Sequence, residues 1–250
     1  MSARRLSLYL GLGALAYAVA LAATLPAAWV SHAVGRATQE RMVLRDEAGS
    51  AWSGSGRLYA RQRSGQLVDL GALRWRAQPA SLLGGKLHAE LTFDDTGKMT
   101  SLDFSPTSVT VQGLDIEFPG VVLAAIEPAL EALGPEGVVR LRADRLRIDA
   151  DSMLGLADIE WRGIRLARAH DLDLGSQVAR LRGGGSKVDI ELGTLSGPLE
   201  LRGGGTWVRR SGFSISGSAE PRNAELAAFL RSVCAEYRDS RCTFRYSRGL

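Results

Sequence analysis

Residues 139–148 read VRLRADRLRI, and their alternation of apolar and charged residues is the strongest structural signal in this chain of 250 residues. From Val139 to Ala143 every second residue is apolar, as expected of a β-strand with one buried and one wet face. The apolar positions then jump by three, to Leu146, before the alternation resumes at Ile148. A continuous strand would turn these side chains to the wrong face, so the jump predicts a bulge or a tight bend.

Two other alternating runs contain the same jump, at residues 111–114 and 161–164. Gly113 and Gly163 lie inside these jumps, where a residue without Cβ fits a bend in a strand. Further alternating runs lie at residues 73–77, 87–93, 109–111, 188–192, 199–201 and 213–215. We therefore expect a mainly β fold, built as a strongly curved antiparallel sheet.

Short turn signals separate the alternating runs, and two glycine triplets, at residues 183–185 and 203–205, are among them. Because each triplet follows Leu-Arg and has a strand pattern on both sides, we expect turns of an antiparallel meander there. The face of the sheet that points inward should carry four large apolar side chains: Trp75, Trp161, Ile190 and Leu201.

Two segments with helical spacing interrupt the strands. Residues 119–133 have an apolar face but are divided by Pro128, so either two short turns or a helix that starts near Glu127 is expected. Asn223 is a candidate N-cap for a second helix. The apolar positions of that helix are Leu226, Phe229, Leu230, Val233 and Tyr237. We expect both short helices to plug the open sheet, with partner binding as the alternative role.

Between Arg5 and Arg36 the chain contains no Asp, Glu, Lys or Arg. About twenty apolar residues in a helix cross the ~30 Å hydrocarbon layer, so this run can span a membrane. With two preceding arginines and small residues near its end, it resembles an export signal. We predict a cytoplasmic tail at 1–5, a transmembrane signal anchor at 6–28 and a periplasmic β-rich domain at 36–250. A cleaved signal peptide is the alternative.

The formal net charge of +4 does not indicate a nucleic-acid partner. The arginines alternate with apolar or acidic neighbours, which is typical of the wet face of strands rather than of a concentrated basic patch. A mild attraction to anionic lipid headgroups is compatible with this charge.

Motifs that would carry chemistry are missing from the sequence. The G-x-G-x-x-A run at residues 11–16 lies inside the predicted anchor, without the preceding strand that a dinucleotide site needs. The three histidines have no metal-ligand spacing with one another or with a cysteine. No G-x-S-x-G motif is present, and the carboxylates are scattered rather than paired. We expect no catalytic, metal-binding or cofactor-binding residue, and therefore no enzyme.

Cys234 and Cys242 are the only cysteines. In an exported domain they can form a disulfide that fastens the last helix to the segment that follows it. Two free thiols in a poorly ordered tail are the alternative.

Several phrases of the chain resemble protein N of the bacterial type II secretion system. One is GSAWSG at residues 49–54, with Gly49, Trp52, Ser53 and Gly54 as its characteristic positions. The others are GVVRL (137–141), ADIEWRG (157–163), LELRGGGTW (199–207) and GFSISG (212–217). The cysteine pair and the arginine-rich ending, residues 238–248, depart from the pattern of the family.

The resemblance implies an accessory, single-pass component of the bacterial inner membrane, with most of the chain in the periplasm. It would support the export of folded proteins across the outer membrane through contacts with other secretion subunits. The inner-membrane platform is the expected partner, and the secretin is a further candidate. The alternative is a periplasmic lipid-binding or lipid-transfer protein, in which a concave face shelters acyl chains. The residues that would line that face are Trp75, Leu91, Phe93, Leu141 and Trp161.

Overall fold

The computed structural model describes residues 13, 17, 20–21, 23–62, 64–93, 97–123, 128–169, 171–208, 211–234 and 236–248. Most of the predicted anchor at residues 6–28 lies outside these residues. Among the residues that are described, no helix is both long enough and apolar enough to cross a membrane.

In the described chain, fourteen strands form one open antiparallel sheet, which confirms the predicted mainly β, antiparallel fold. The strands are β1 (Met42–Gly49), β2 (Ser53–Arg61), β3 (Leu67–Gln78), β4 (Leu87–Phe93), β5 (Met99–Phe104), β6 (Ser108–Pro119), β7 (Val138–Asp149), β8 (Met153–Leu166), β9 (Leu172–Gly185), β10 (Lys187–Ser196), β11 (Leu199–Val208), β12 (Gly212–Pro221), β13 (Glu236–Arg238) and β14 (Arg241–Arg248).

Neighbouring strands follow chain order from β1 to β12. The last two strands reverse this order, because β14 pairs with β12 and the three-residue β13 pairs with the other side of β14. The sheet therefore begins at β1 and ends at β13.

Two α-helices are described in full, α1 (Ala28–Ala37) and α2 (Ala224–Val233). The Asn223 side chain accepts a hydrogen bond of 2.8 Å from the backbone N–H of Leu226, which confirms the predicted N-cap of α2. Within residues 119–133, a short 3₁₀ helix covers Pro128–Leu133, which agrees with the predicted alternative of a helix that starts near Glu127. Pro119 instead belongs to β6, and residues 124–127 lie outside the described residues. Pro128 lacks an amide donor, which limits a longer helix at this point.

The jumps in β6 and β7 lie directly opposite each other. Val111 pairs with Leu146 and Leu114 pairs with Ala143 in a single register, so both strands change face at the same place. Gly113, inside the jump in β6, has a φ of +67°, in the left-handed region that favours glycine. Two neighbouring strands therefore bend together without losing their pairing.

The next two pairs of strands absorb the jumps as bulges. The register between β7 and β8 shifts between Arg142 and Leu146, and the register between β8 and β9 shifts between Trp161 and Ile164. Gly163 lies in the second shift and has a φ of +58°. The bulges that the sequence predicts are confirmed, and each one bends its strand locally.

Buried apolar side chains form three clusters on one side of the sheet, which we call the inner face. The N-terminal cluster contains Ala27, Leu44, Leu58, Leu73 and Trp75. The central cluster contains Ala143, Leu146, Met153, Ala157 and Val188. The C-terminal cluster contains Leu166, Leu172, Leu199, Ala219, Leu226, Leu230 and Cys242.

Helices cover the two ends of the inner face. Val30 and Val34 of α1 pack against the N-terminal cluster, and Leu226 and Leu230 of α2 belong to the C-terminal cluster. Leu133, at the end of the 3₁₀ helix, also contacts the C-terminal cluster. The central cluster and the described side chains that pack against it come from strands alone.

The prediction that the glycine triplets lie at turns holds for the first triplet and is wrong for the second. Residues 183–185 end β9 and lead into the tight turn to β10, where Gly183 pairs with Val188, whereas residues 203–205 lie inside β11. A Cβ on Gly183 would lie 2.5 Å from the Met153 carbonyl oxygen, and a Cβ on Gly203 would lie 2.7 Å from the Ser216 carbonyl oxygen. At both positions the neighbouring strand occupies the space of a side chain, so Gly183 and Gly203 permit close approach of backbones.

Candidate interaction surfaces

The four motif residues Gly49, Trp52, Ser53 and Gly54 lie in and beside the tight turn between β1 and β2. Gly49 pairs with Gly54 and has a φ of +94°, where a larger residue would be strained. The Ser50 hydroxyl accepts hydrogen bonds from the backbone N–H groups of Trp52, at 3.3 Å, and Ser53, at 3.1 Å. The structure therefore brings the motif residues together as one hydrogen-bonded turn.

Trp75 of β3 covers this turn. Its indole Nε1–H donates a hydrogen bond of 3.1 Å to the Ser50 carbonyl oxygen. A Cβ on Gly54 would lie 2.5 Å from the indole ring, so the ring needs glycine at this position. Trp75 is only 6% exposed, and the hydrogen bond satisfies its one polar group in a buried setting.

The same turn holds the segment that precedes α1. The Ala27 N–H donates to the Gly49 carbonyl oxygen at 3.3 Å, and the Ala51 N–H donates to the Leu25 carbonyl oxygen at 2.8 Å. Pro26 and Ser50 form an isolated β-bridge between these two hydrogen bonds. The turn thus fastens the end of the predicted anchor to the first hairpin. Sequence periodicity carries no signal for this contact, since it joins segments that lie outside the regular strands.

Cys234 and Cys242 form a disulfide with their Cα atoms 6.0 Å apart. The bridge joins the end of α2 to β14. Cys242 belongs to the C-terminal cluster, and Cys234 packs against it. The disulfide therefore holds α2 over the inner face beside the last strands of the sheet.

The first edge of the sheet is irregular. The pairing of β1 with β2 shifts register between Arg45 and Ala48, and Asp46 has a φ of +53°. The bulge carries the consecutive charged residues Arg45, Asp46 and Glu47. Bulges and charges on an edge strand oppose pairing with another chain.

The other edge of the sheet is regular. β12 pairs with β14 from Cys242 to Arg248 without a shift in register, whereas β13 covers only Arg241–Thr243 of β14. No strand of the described chain pairs with the outer side of residues 244–247, which we call the β14 edge. Unpaired backbone N–H and C=O groups on a regular strand are a template for strand addition.

The surroundings of the β14 edge combine apolar and basic groups. Tyr246 is 47% exposed and Val233, at the end of α2, is 60% exposed. A cleft of about 880 Å³ beside the disulfide is lined in part by Val233, Phe244 and Arg245. Arg245 is exposed on this edge. A partner strand can therefore add backbone hydrogen bonds here while its side chains enter the cleft.

Ion pairs on the side opposite the inner face, which we call the outer face, link the central strands. Asp115 of β6 accepts two hydrogen bonds of 2.7 Å from Arg140 of β7 and also contacts Lys98. The Arg140 hydrogen bonds hold the pKa of the Asp115 carboxyl well below its usual range, and Asp115 in turn raises the pKa of Arg140. Arg142 lies 3.7 Å from Glu160 of β8. These arginines alternate with Val139 and Leu141, as a strand with one wet face requires.

Candidate ligands for a metal do not converge in the described parts of the chain, where no three His, Cys, Asp or Glu side chains are close enough to hold an ion. His88 contacts Asp103, with 2.7 Å between the ring Nδ1 and the carboxylate.

Comparison with known protein families identifies a match over most of the chain. A family model described as type II secretion system (T2SS), protein N matches residues 40–242, from just before β1 into β14. No curated protein and no solved structure matches the chain.

Proposed function

The chain belongs to the protein N family of the type II secretion system, and we propose that it is an accessory, non-enzymatic component that supports export of folded proteins across the outer membrane. Membership of the family implies a role in type II secretion and contacts with other components of that machinery. The proposed mechanism of these contacts is strand addition at the β14 edge.

The difference between the two edges of the sheet carries this proposal. The bulge at Asp46 makes β1 a poor template for pairing, whereas β14 keeps one register along its whole length. A partner strand with an acidic residue opposite Arg245 would pair best, since opposite charges on neighbouring strands are stabilising. The inner-membrane platform is the expected source of this strand, with the secretin as a second candidate.

An inner-membrane anchor at residues 6–28 is part of the proposal, with the β-rich domain in the periplasm. The turn at residues 49–54 supports it, because its hydrogen bonds with Leu25 and Ala27 would hold the first hairpin of the sheet at a fixed position relative to the end of the anchor. The bulges support strong curvature, so that the sheet would arch away from the membrane surface. An uncleaved Met1 or Ser2 terminus, and retention in the membrane fraction after carbonate extraction, are expected. A mature terminus near Ala27 would contradict the anchor.

Site-specific crosslinking in cells tests the mechanism. A photo-crosslinking residue placed at Ser247, on the β14 edge, should capture another type II secretion component. The same residue at Glu47, in the bulge of β1, is the matched control on the opposite edge and should capture much less. Mass spectrometry of the crosslinked bands identifies the partner.

Secretion is measured in the same strains. Cells without the chain should accumulate exported proteins in the periplasm, and the wild-type gene should restore their release. Arg245→Glu should reduce both the crosslink and the release, whereas Glu47→Arg should not. Equal capture from both edges would contradict the β14 mechanism, and normal release without the chain would contradict the proposed role in export.

Lipid handling is a second candidate function, favoured by the middle of the inner face. Four apolar side chains in this region are partly exposed: Leu141, Ile159, Ile190 and Leu192. No helix of the described chain packs against the central cluster, which lies among them. Exposed apolar areas of more than a few hundred Å² usually bind something. Native mass spectrometry of the full chain would support this function if phospholipid co-purified in a fixed ratio and were lost on Ile190→Asp. A lipid-free protein would contradict it.

A further inference from the structure

The outer face contains a cavity of about 400 Å³ beside the turn between β5 and β6. Three basic side chains line it, from Lys86 before β4 and from Arg145 and Arg147 of β7. Among the described residues that line it, Asp103 of β5 is the only acidic one. The lining therefore carries an excess of positive charge.

Strand pairing explains why these groups converge. Asp103 lies opposite Thr110 of β6, and Thr110 lies opposite Arg147 of β7. Side chains directly opposite one another on neighbouring strands point to the same face. Arg145 is two residues from Arg147 and therefore shares that face. The pairing of β5, β6 and β7 therefore places these side chains around one cavity.

Two of the basic side chains have no acidic partner among the residues that the structure describes. Neither Lys86 nor Arg145 makes an ion pair with any residue that the structure describes. Arg147 contacts Asp149 at 3.2 Å, and the carboxylate of Asp103 is engaged by His88 at 2.7 Å. The positive charge of the cavity is thus available to a ligand.

Hydroxyl groups complete the lining. Thr107 and Thr110 both face the cavity, and their hydroxyls make no hydrogen bond to any described residue. Each can donate a hydrogen bond to an oxygen of an anion. Arginine side chains bind phosphate oxygens through paired N–H donors, and lysine adds a point charge.

From this combination we propose that the cavity between β4 and β7 binds a phosphate group. The group belongs either to a phospholipid headgroup or to a small soluble phosphate compound, since both present the same oxyanion.

A second cavity on the outer face has the opposite balance of charge. There Arg180 and Arg182 line the wall together with Asp158, Asp189 and Glu191, so the acids outnumber the arginines. The site is separate from the β14 edge and does not depend on the proposed secretion contacts.

Calorimetric titration of the purified full chain tests the site. The two probes are inorganic phosphate and dihexanoyl phosphatidic acid, a water-soluble lipid with a phosphate monoester headgroup. Arg145→Gln should weaken binding about tenfold or more, equivalent to about 1.4 kcal/mol, because it removes a cation without breaking an internal ion pair. Arg182→Gln is the matched control, on the same face but in the acid-rich cavity, and should bind like the wild type. Added sodium chloride should weaken binding through screening.

Binding of both probes, lost in Arg145→Gln and retained in Arg182→Gln, would support a site for soluble phosphate compounds. Binding of the lipid probe alone with the same pattern of variants would support a headgroup site. Absence of binding to the wild type, or an equal loss in both variants, would overturn the proposal. Thermal unfolding of each variant without ligand confirms that the compared proteins are folded.

Discussion

Arg140 of β7 reaches diagonally to Asp115 on the neighbouring strand β6, and donates hydrogen bonds of 2.7 Å to both of its carboxylate oxygens. Strand register places Asp115 opposite Arg142 and Arg140 opposite Glu117. The pair lies beside Leu114 and next to the opposed jumps of β6 and β7. We infer that it clamps the outer face at the point where both strands bend.

Replacing Asp115 by Asn should lower the free energy of unfolding at pH 7 by about 1–2 kcal/mol. This value lies between the stabilisation typical of an exposed ion pair and that of a hydrogen bond to a charged group. The low pKa of Asp115 makes this contribution depend on pH. The carboxylate stabilises the fold fully above its unfolded pKa of about 3.9, and the stabilisation is lost as the pH falls through the folded pKa. Urea unfolding from pH 7 to pH 3 measures the difference between wild type and variant.

That difference should shrink as the pH falls below about 4. A double-mutant cycle with Arg140→Gln separates the pair from the other contacts of each side chain. A difference that stays constant with pH, or a coupling free energy near zero, would contradict the clamp.

Gly54→Ala should destabilise the protein by about 1–3 kcal/mol, because a Cβ would lie 2.5 Å from both the Trp75 ring and the Ala48 carbonyl oxygen. Gly184→Ala is the matched control in β9, where a Cβ would meet no atom within 4 Å. Chemical denaturation measures both variants. Tolerance of Gly54→Ala, with unchanged tryptophan fluorescence, would show that the indole does not pack on this turn.

Leu226→Ala should cost about 3 kcal/mol, since Leu226 is fully buried between α2 and the sheet. Leu156→Ala makes the same chemical change on the outer face, where the side chain is 61% exposed, and should cost less than about 0.5 kcal/mol. The comparison is made by thermal unfolding monitored by circular dichroism. Similar costs at the two positions would mean that α2 does not plug the inner face.

Reducing the disulfide should lower the stability by about 2–3 kcal/mol, the loop-entropy value for a bridge between residues eight apart. The measurement compares unfolding with and without dithiothreitol. A variant with alanine at both Cys234 and Cys242 should be insensitive to the reductant. Free thiols in the full chain purified from its native cells under non-reducing conditions would contradict the bridge.

Alternation and its interruptions were sufficient to predict the class of fold and the sites of irregularity. The jumps at residues 111–114, 143–146 and 161–164 appear as opposed bends or bulges, because a strand has only two faces and the apolar side chains must reach one of them. The helix N-cap at Asn223 was equally predictable from the sequence, since its side chain accepts a hydrogen bond from a backbone amide only three residues away.

Glycine was ambiguous in the sequence for a physical reason. The triplets at residues 183–185 and 203–205 both indicate turns in the sequence, yet only the first leads into a turn, and the second lies inside β11, where Gly203 permits close contact between strands. A missing Cβ permits both a left-handed turn and a close approach of backbones, and only the neighbouring strand distinguishes the two.

The sequence alone was sufficient to predict the strands, their two faces, the candidate cysteine pair and the motif at residues 49–54. Each of these features depends on local spacing or residue type. The tertiary structure decided which residues share a surface: Leu25 on the first hairpin, a regular outer edge on β14, and Lys86 beside Arg145. Such contacts join residues far apart in the chain. They depend on strand register and on how far the chain folds back, and no local pattern of side chains encodes either.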